Sequence, residues 1–326
     1  MKTRQSWVAS ASMLETPAAV RPFVVVNPLA RRASSAVAEV VGQCYRMGID
    51  APRSLATTRE ETGSQQARQA VEAGADVVLV IGGDGTVRQV ARELAGTGIR
   101  LGIVALGSGN VLAYNLGLTS LDLRTKVAIA LSGPSTELDL GWARLQTVDG
   151  RQFDEPFLTM AGIGRDAETV ARTHLRAKVR IGAAAYALQG VRQATRPALP
   201  MHVKVDDQPE RAIVAWSVLA GLIRDAPGGL VVYPQAQSDD GLMEVLEVPI
   251  KHWLQWLPVA AKGILSPDMD VSALRYRRAE RLRVRPVDPA PVQLDGDVVT
   301  HVTSLQAWIQ PRCLRVHLPA REPGAS

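Results

Sequence analysis

Phe23 to Val26 is a short, unbroken apolar run that stops at Asn27-Pro28. Behind it, Ala36, Val40, Val41 and Cys44 recur at helical spacing up to Gly48, and a second helical pattern covers residues 63 to 73. Val77 to Ile81 is again continuously apolar and bounded by glycines. Val87, Val90, Ala91 and Leu94 then mark a helix over 86 to 95, Leu101 to Leu106 a further strand, and Asn110 the start of another helix. Apolar runs without alternation suit strands covered on both faces, and their interleaving with helices predicts an open, mostly parallel sheet with helices on both sides.

The pattern changes after Gly133-Pro134. Short alternating runs follow at 137–146, 157–163, 201–206, 212–220, 229–234, 243–248, 281–285, 291–295 and 300–309. They are separated by turn sequences such as Asp206-Asp207, Asp239-Asp240-Gly241 and Asp295-Gly296-Asp297. Helical insertions fit 166–175, 180–194 and 252–264. The prediction is a disordered tail over 1–20, an α/β domain over 21–135 and a β-rich, sandwich-like domain over 136–310, with 311–319 returning to the first domain.

Composition narrows the class. At 326 residues, 46% hydrophobic and 21% charged, the chain has material for two cores and little reason for wholesale disorder. Cys44 and Cys313 are too few and too far apart for a disulfide framework or a cysteine-rich metal site. A net charge of +5 suits phosphate ligands or an anionic membrane surface without singling out nucleic acid. No apolar run reaches the ~20 residues of a membrane span, and residues 1 to 20 lack the apolar stretch of a signal peptide. A cytoplasmic location follows as the expectation.

The candidate chemistry sits in the turns. Gly82-Gly83-Asp84-Gly85-Thr86 lies between a buried strand and a helix, where parallel sheets bind ligands. Its glycines let backbone N–H groups approach phosphate oxygens, and the helix behind them offers its positive end. Asp84 suits a metal ion or a proton rather than phosphate; as a plain turn, the same residue would serve as a helix cap. Gly107-Ser108-Gly109-Asn110 repeats the arrangement after the next strand. It lacks the acidic strand end that a dinucleotide fingerprint needs, and no Walker A sequence exists in the chain.

An Asn-Pro after the first strand, GGDGT, and GSGN followed by a helix together resemble the diacylglycerol kinase catalytic family, which includes bacterial lipid kinases, sphingosine kinases and ceramide kinases. The resemblance continues through Gly162-Ile163-Gly164-Arg165-Asp166-Ala167, Asp239-Asp240-Gly241-Leu242 and Asp295-Gly296-Asp297. It implies an NAD kinase- or phosphofructokinase-like α/β domain, a β-rich partner domain and ATP with Mg²⁺ in the cleft between them. It places Asn27, Arg31, Thr58, Gly82 to Thr86 and Gly107 to Asn110 around the nucleotide. It makes Asp295 the general base and Asp84 a second catalytic group. It assigns Asp84 and Asp297 to the catalytic metal, and Asp240 with the carbonyls of Gln237 and Leu242 to a further, structural Mg²⁺. Several positions depart from the family pattern: the first loop, Asn27-Pro28-Leu29-Ala30-Arg31-Arg32, lacks the usual Ser-Gly, with Arg31 or Arg32 as a substitute charge partner, Gln89 replaces a glutamate, Val111 an aspartate of one bacterial branch, and Asp297 a glutamate.

The function so implied is phosphorylation of a diacylglycerol-like or sphingoid hydroxyl. The rivals are an NAD kinase-type enzyme acting on a soluble acceptor, and a non-catalytic nucleotide- or lipid-binding homologue. None of His174, His202, His252, His301 and His317 sits in a catalytic setting. A lipid kinase must dock on a membrane. Two basic stretches are candidates, Arg165 to Arg180 and Arg275 to Arg285, as is the tryptophan pair Trp253 and Trp256. The expected partners are therefore a lipid substrate and an anionic membrane surface, with no nucleic acid, and a homodimer is compatible with the sequence.

Overall fold

A computed structural model of the chain describes residues 20–106, 109–168, 196–226, 230–250, 255 and 274–320. The expected tail, the helical insertions after residue 168 and over 252–264, and the tryptophan pair lie outside the described residues.

The first half forms β1 (Pro22–Val26), α1 (Ala33–Met47), β2 (Arg53–Ala56), α2 (Ser64–Glu72), β3 (Val77–Gly82), α3 (Asp84–Leu94), β4 (Arg100–Ala105), α4 (Val111–Asn115) and α5 (Leu123–Ser132). The strands run parallel in the order β4-β3-β1-β2. Every residue of β3 is buried, because its side chains feed two cores. Val78 and Val80 meet Val87, Val90 and Leu94 of α3, whereas Val77, Leu79 and Ile81 meet Ala36 and Val40 of α1 and Val127 and Leu131 of α5. Each such aliphatic side chain stabilises the fold by about 1.5–3 kcal/mol. Between β4 and α5 the contact is backbone to backbone. A Cβ on Gly102 would come within 2.1 Å of the Ala130 carbonyl oxygen, so only glycine lets the helix seat this closely.

The second half forms β5 (Ser135–Thr147), β6 (Gln152–Phe157), β7 (Met160–Gly164), β8 (Leu199–Val205), β9 (Arg211–Ala215), β10 (Ser217–Gly221), the short pair β11 (Asp225–Ala226) and β12 (Leu230–Val231), β13 (Met243–Val248), β14 (Arg275–Ala279), β15 (Arg281–Pro286), β16 (Ala290–Leu294) and β17 (Asp297–His317). One layer has the order β14-β13-β10-β7-β16, and the other joins β9, β8, β15, β17, β5 and β6. Alternate side chains from both layers, among them Ile163, Val218, Val245 and Val292 from one and Leu145, Val203, Leu282 and Leu305 from the other, fill a shared core. This is the sandwich that the alternation predicts.

The layers and the first domain are tied together by β17. Its start pairs with β16, its middle with β15 and β5, and Arg315 and Val316 pair in parallel with Arg100 and Leu101 of β4. The sheet of the first domain therefore continues into the sandwich through a single strand. Asn115 adds a smaller tie, its amide bonding both backbone groups of Asp225 at 2.7 and 2.9 Å.

Several elements differ from the sequence reading, among them β6, which lies outside every expected run except at Phe157, and β17, which continues past residue 309. Strand β2 was not expected; it is an edge strand with mostly exposed side chains and no apolar signature. Strand β14 was read only as a basic run, and it too lies at an edge. The run 157–163 is broken by a corner at Leu158 and Thr159, and the run 212–220 by a break at Trp216. Among the described residues no helix is long and apolar enough to cross a membrane.

Candidate active site

The carboxyl ends of β1, β2, β3 and β4 form one edge, and the loops leaving it carry Asn27, Thr58, Gly83 and Asn110. Asn27 closes the first loop on itself: its backbone N–H bonds the Ile81 carbonyl, and its Oδ1 accepts from Leu29 N–H at 3.0 Å. Arg31 is exposed in that loop, ahead of Arg32, whose left-handed φ of 63° starts α1. Thr58 is exposed after β2 and accepts from Glu61 N–H. Gly107 and Ser108 lie outside the described residues. Asn110 is buried, with its amide turned to the Gly82 carbonyl at 3.4 Å. Lys126 of α5 donates to the Ala105 carbonyl at the tip of β4, a cation beside this turn that the motifs did not single out.

At the head of α3 no side chain caps the helix. Its first N–H groups are therefore open to an anion, as phosphate binding requires. Thr86 is buried, and a Cβ on Gly82 would come within 3.1 Å of its side chain, so glycine at 82 leaves Thr86 its place. Asp84 Oδ2 accepts from Val111 N–H, at the head of α4, at 2.8 Å. Burial raises the Asp84 carboxyl to about 6; the Val111 bond opposes the rise and the negative charge of Asp295 adds to it. The Asp295 hairpin of the second domain lies beside this turn, since Arg88 of α3 bonds the residues on either side of Asp295–Gly296.

Asp295 and Gly296 are the two loop residues of the β16–β17 hairpin, with φ of 49° and 96°. Such a hairpin needs positive φ at both positions, which Asp-Gly supplies. The Asp295 carboxylate is clasped by the corner between β6 and β7. Its Oδ1 accepts from Thr159 N–H, Thr159 Oγ1–H and Met160 N–H at 2.6 to 3.0 Å, and Oδ2 accepts from Leu158 N–H at 2.7 Å. Oδ2, with a single donor, retains room for a proton.

Arg88 of α3, which the motif comparison passed over, joins the two halves. Its guanidinium bonds the Leu294 carbonyl and Asp297 Oδ2, both at 2.5 Å. Gln89, at the position where the family usually has glutamate, donates to Glu155 at 3.2 Å and accepts from Ser64 Oγ at 2.9 Å. Arg92 also pairs with Glu155, so α3 presents a polar seam to β6. The signal for Arg88 in the sequence was only an apolar helix with an arginine on its buried side.

Whether these groups suit a magnesium–nucleotide can be judged from the donors. Gly83 and Gly85 leave the turn without side chains, and a Cβ on Gly85 would stand 3.9 Å from Asp297 Oδ2. Among the described residues no three His, Cys, Asp or Glu side chains converge to hold a metal unaided. Magnesium usually takes only one or two carboxylates beside phosphate oxygens, so Asp84 and Asp297 suffice in number, with Asp297 offering Oδ1 because its Oδ2 accepts from Arg88. The second acidic turn differs. Asp240 Oδ1 accepts from Leu242 N–H, and its Oδ2 meets the Arg278 guanidinium. Gln237 is exposed beside it, and buried Asp139 holds the turn through Gly241 N–H and Arg312 N–H, each at 2.7 Å. Asp240 thus carries a guanidinium at the position the resemblance gives to a structural cation, as Asp297 does through Arg88.

Much of the second basic stretch is likewise neutralised. Arg278 pairs with Asp240, Arg281 with Asp207 and Arg285 with Glu210. In the first stretch Arg165 pairs with Glu168, and Arg172, Arg176, Lys178 and Arg180 lie outside the described residues.

Comparison with known proteins bears on the family and the fold. The family model of the diacylglycerol kinase catalytic domain matches residues 21–143, and that of the YegS C-terminal NAD kinase beta sandwich-like domain matches residues 159–318. A Pseudomonas aeruginosa protein named "Probable lipid kinase YegS-like" is 34% identical over 262 residues, covering 78% of this chain and 80% of its own. A diacylglycerol kinase of Mycobacterium tuberculosis is 35% identical over 179 residues, or 54% of this chain and 56% of that one. The crystal structure of a diacylglycerol kinase from Bacillus anthracis has the same fold, with a TM-score of 0.67 at 17% identity over 94% of this chain and 98% of that one.

Proposed function

This chain belongs to the diacylglycerol kinase family, YegS-like lipid kinases included, and on that basis we propose that it transfers the terminal phosphoryl group of ATP to a lipid hydroxyl. The observation that carries the reading is Arg88, on the helix that opens at the first glycine turn, bonding the Leu294 carbonyl and the Asp297 carboxylate on either side of Asp295–Gly296.

The residues divide the work as follows. The uncapped N–H groups of α3 and the glycine turns bind phosphate oxygens, while Asn27, Arg31 and Thr58 border the rest of the nucleotide. Asp84 and Asp297 hold the cation. Mg²⁺, when bound with ATP, supplies neutralisation of the charge on the phosphoryl group in flight. Asp295 takes the proton of the attacking hydroxyl on Oδ2, and the clasp from Leu158, Thr159 and Met160 keeps that oxygen aimed. A positioned carboxylate base contributes roughly 10²–10⁴-fold. Acceptors of this kind reside in bilayers, so the protein works at a membrane surface.

The test is purified protein with Mg²⁺, labelled ATP and mixed micelles of diacylglycerol, monoacylglycerol, sphingosine or ceramide, with NAD in a parallel arm. Transfer to one of the lipids is expected. Transfer to NAD alone, or to no acceptor, would remove the proposal.

A further inference from the structure

A group of buried polar side chains lies next to the Asp295–Gly296 turn and takes no part in the chemistry above. Gln293, on β16, is 1% exposed, and its neighbours Val292 and Leu294 point into the sandwich core while it points the other way. Its Oε1 accepts from Gly296 N–H at 3.0 Å. Its Nε2 is buried without a hydrogen-bond partner among the described residues.

Across the sheet Gln293 stands opposite Gly162 of β7. The carboxylate of Asp166 rests over that glycine: a Cβ there would come within 2.1 Å of Asp166 Oδ2 and 2.5 Å of Leu219 Cδ2. The missing side chain of Gly162 is thus the space that Asp166 occupies. Asp166 is anchored by its own N–H, which donates to Ser217 Oγ at 2.9 Å. Both carboxylate oxygens are buried and, like Gln293 Nε2, lack a partner at full hydrogen-bond geometry. The Ser217 and Gln293 side chains are nonetheless its close polar neighbours.

A primary amide can be seated either way round, and sterics barely distinguish the two. Chemistry does: the NH₂ end donates and the oxygen accepts. A carboxylate facing one end decides which end that is. We infer that Asp166 is a positioning residue for the Asp295–Gly296–Asp297 turn: it draws the amide nitrogen of Gln293 toward itself and so presents the amide oxygen to Gly296 N–H. The segment Gly162 to Ala167 then has a reason to join a glycine to an aspartate four residues on. The first fills the sheet with backbone only, and the second uses the vacated space to orient the residue beside it. The catalytic part of this inference rests on the lipid-kinase reading; the structural part does not.

The experiment uses the full chain with two readouts. One is hydrogen exchange at the Gly296 amide, followed by NMR, and the other is steady-state lipid phosphorylation. In Asp166→Ala, exchange at Gly296 accelerates at least roughly tenfold, and kcat falls roughly 10- to 100-fold while KM for ATP holds. Asp166→Asn still offers an oxygen to Nε2, so it recovers most of both. Asp166→Ala combined with Gln293→Met loses no more than the worse single variant, because the two act as one unit. Unchanged Gly296 exchange in Asp166→Ala, or losses that multiply in the double variant, would overturn the inference. If Asp166→Ala does not fold, Gln293→Glu replaces it. That change sets a second carboxylate against Asp166, so Gly296 protection and kcat must both drop, and their persistence refutes the inference. If the wild-type chain phosphorylates no lipid, the kinase reading fails, and the Gly296 exchange alone still decides whether Asp166 orients the turn.

Discussion

The Arg88 guanidinium holds the Leu294 carbonyl and the Asp297 carboxylate at once, each at 2.5 Å, and so grips both flanks of the hairpin that presents Asp295. Arg88 is only 8% exposed whereas Asp297 is 67% exposed, so the carbonyl contact is the buried half of the grip. Replacing Arg88 with Met keeps the apolar stem and removes the fork. A hydrogen bond from a charged donor is worth ~1.5–3 kcal/mol, less where water screens it. Stability to urea should fall by ~1–3 kcal/mol and turnover by at least roughly tenfold, with Arg88→Lys, which has a single donor head, only partly restoring either. Wild-type stability and rate in Arg88→Met would show that the grip is idle.

Asp84→Asn and Asp295→Asn should each lower turnover by roughly 10²–10⁴-fold. They should differ in stability. Asp295 accepts hydrogen bonds on both oxygens, so an Asn there sets an NH₂ against a backbone N–H and costs about 1–3 kcal/mol. Asp84 accepts mainly from Val111, on a single oxygen, and Asn can still meet it. Urea melts beside initial rates separate the two; near-normal rates in both variants would remove the assigned roles.

The pH dependence has a definite sign. Burial lifts Asp84 to about 6, so its folded carboxyl holds a proton that the unfolded chain has already released. Its contribution to stability is complete below about pH 4 and is lost as pH rises through about 6, to at most ~3 kcal/mol. Turnover runs the opposite way, since the ionised form is the one that holds a cation. Metal-free wild type should therefore lose stability relative to Asp84→Asn between about pH 4 and about pH 8, while wild-type kcat climbs over the same interval. Parallel melting curves for the two proteins across that interval would contradict the burial argument.

Arg278 answers to a separate measurement. Its guanidinium sits on Asp240 Oδ2, and burial together with Asp239 and Asp240 raises the neighbouring Asp139 carboxyl. Arg278→Ala leaves the acidic turn without its counter-charge. In an Asp84→Asn background, calorimetric titration with Mg²⁺ should find weak binding to the Arg278→Ala protein and none when Arg278 is present. Equal heats in the two proteins would show that Arg278 does not stand in for a cation.

What the sequence disclosed follows from which forces are local. The strand β3 and the helix α3 announce themselves because their apolar spacing is set by cores on the strand's two faces, and the glycine turns because backbone conformation constrains residue type. Strand β2, polar and paired with β1 alone, carries no such signature. The arginines of β14 look like a solvated charge run because they are partly that: Arg278 reaches Asp240 and Arg277 reaches Gln208. Asp84 and Asp295 stand out in the sequence through the glycine-turn motifs around them rather than through being aspartates in turns, where that residue is common. Arg88 does not, because its partners lie more than 200 residues away, at Leu294 and Asp297, and no periodicity encodes a contact of that range.

Strand β17 also limits how the molecule can move. It contributes hydrogen bonds to the sandwich and to the parallel sheet without a linker between them, so a free swivel of one domain on the other would tear its own ladder. The pairing with β5 slips between Val302 and Ser304 and again between Gln310 and Leu314, the second slip lying on the side of the first domain at Arg312 with its φ of 46°. Asp139, bonded to the Arg312 amide, braces that second slip, so any relative movement of the two sheets has to bend one continuous ribbon.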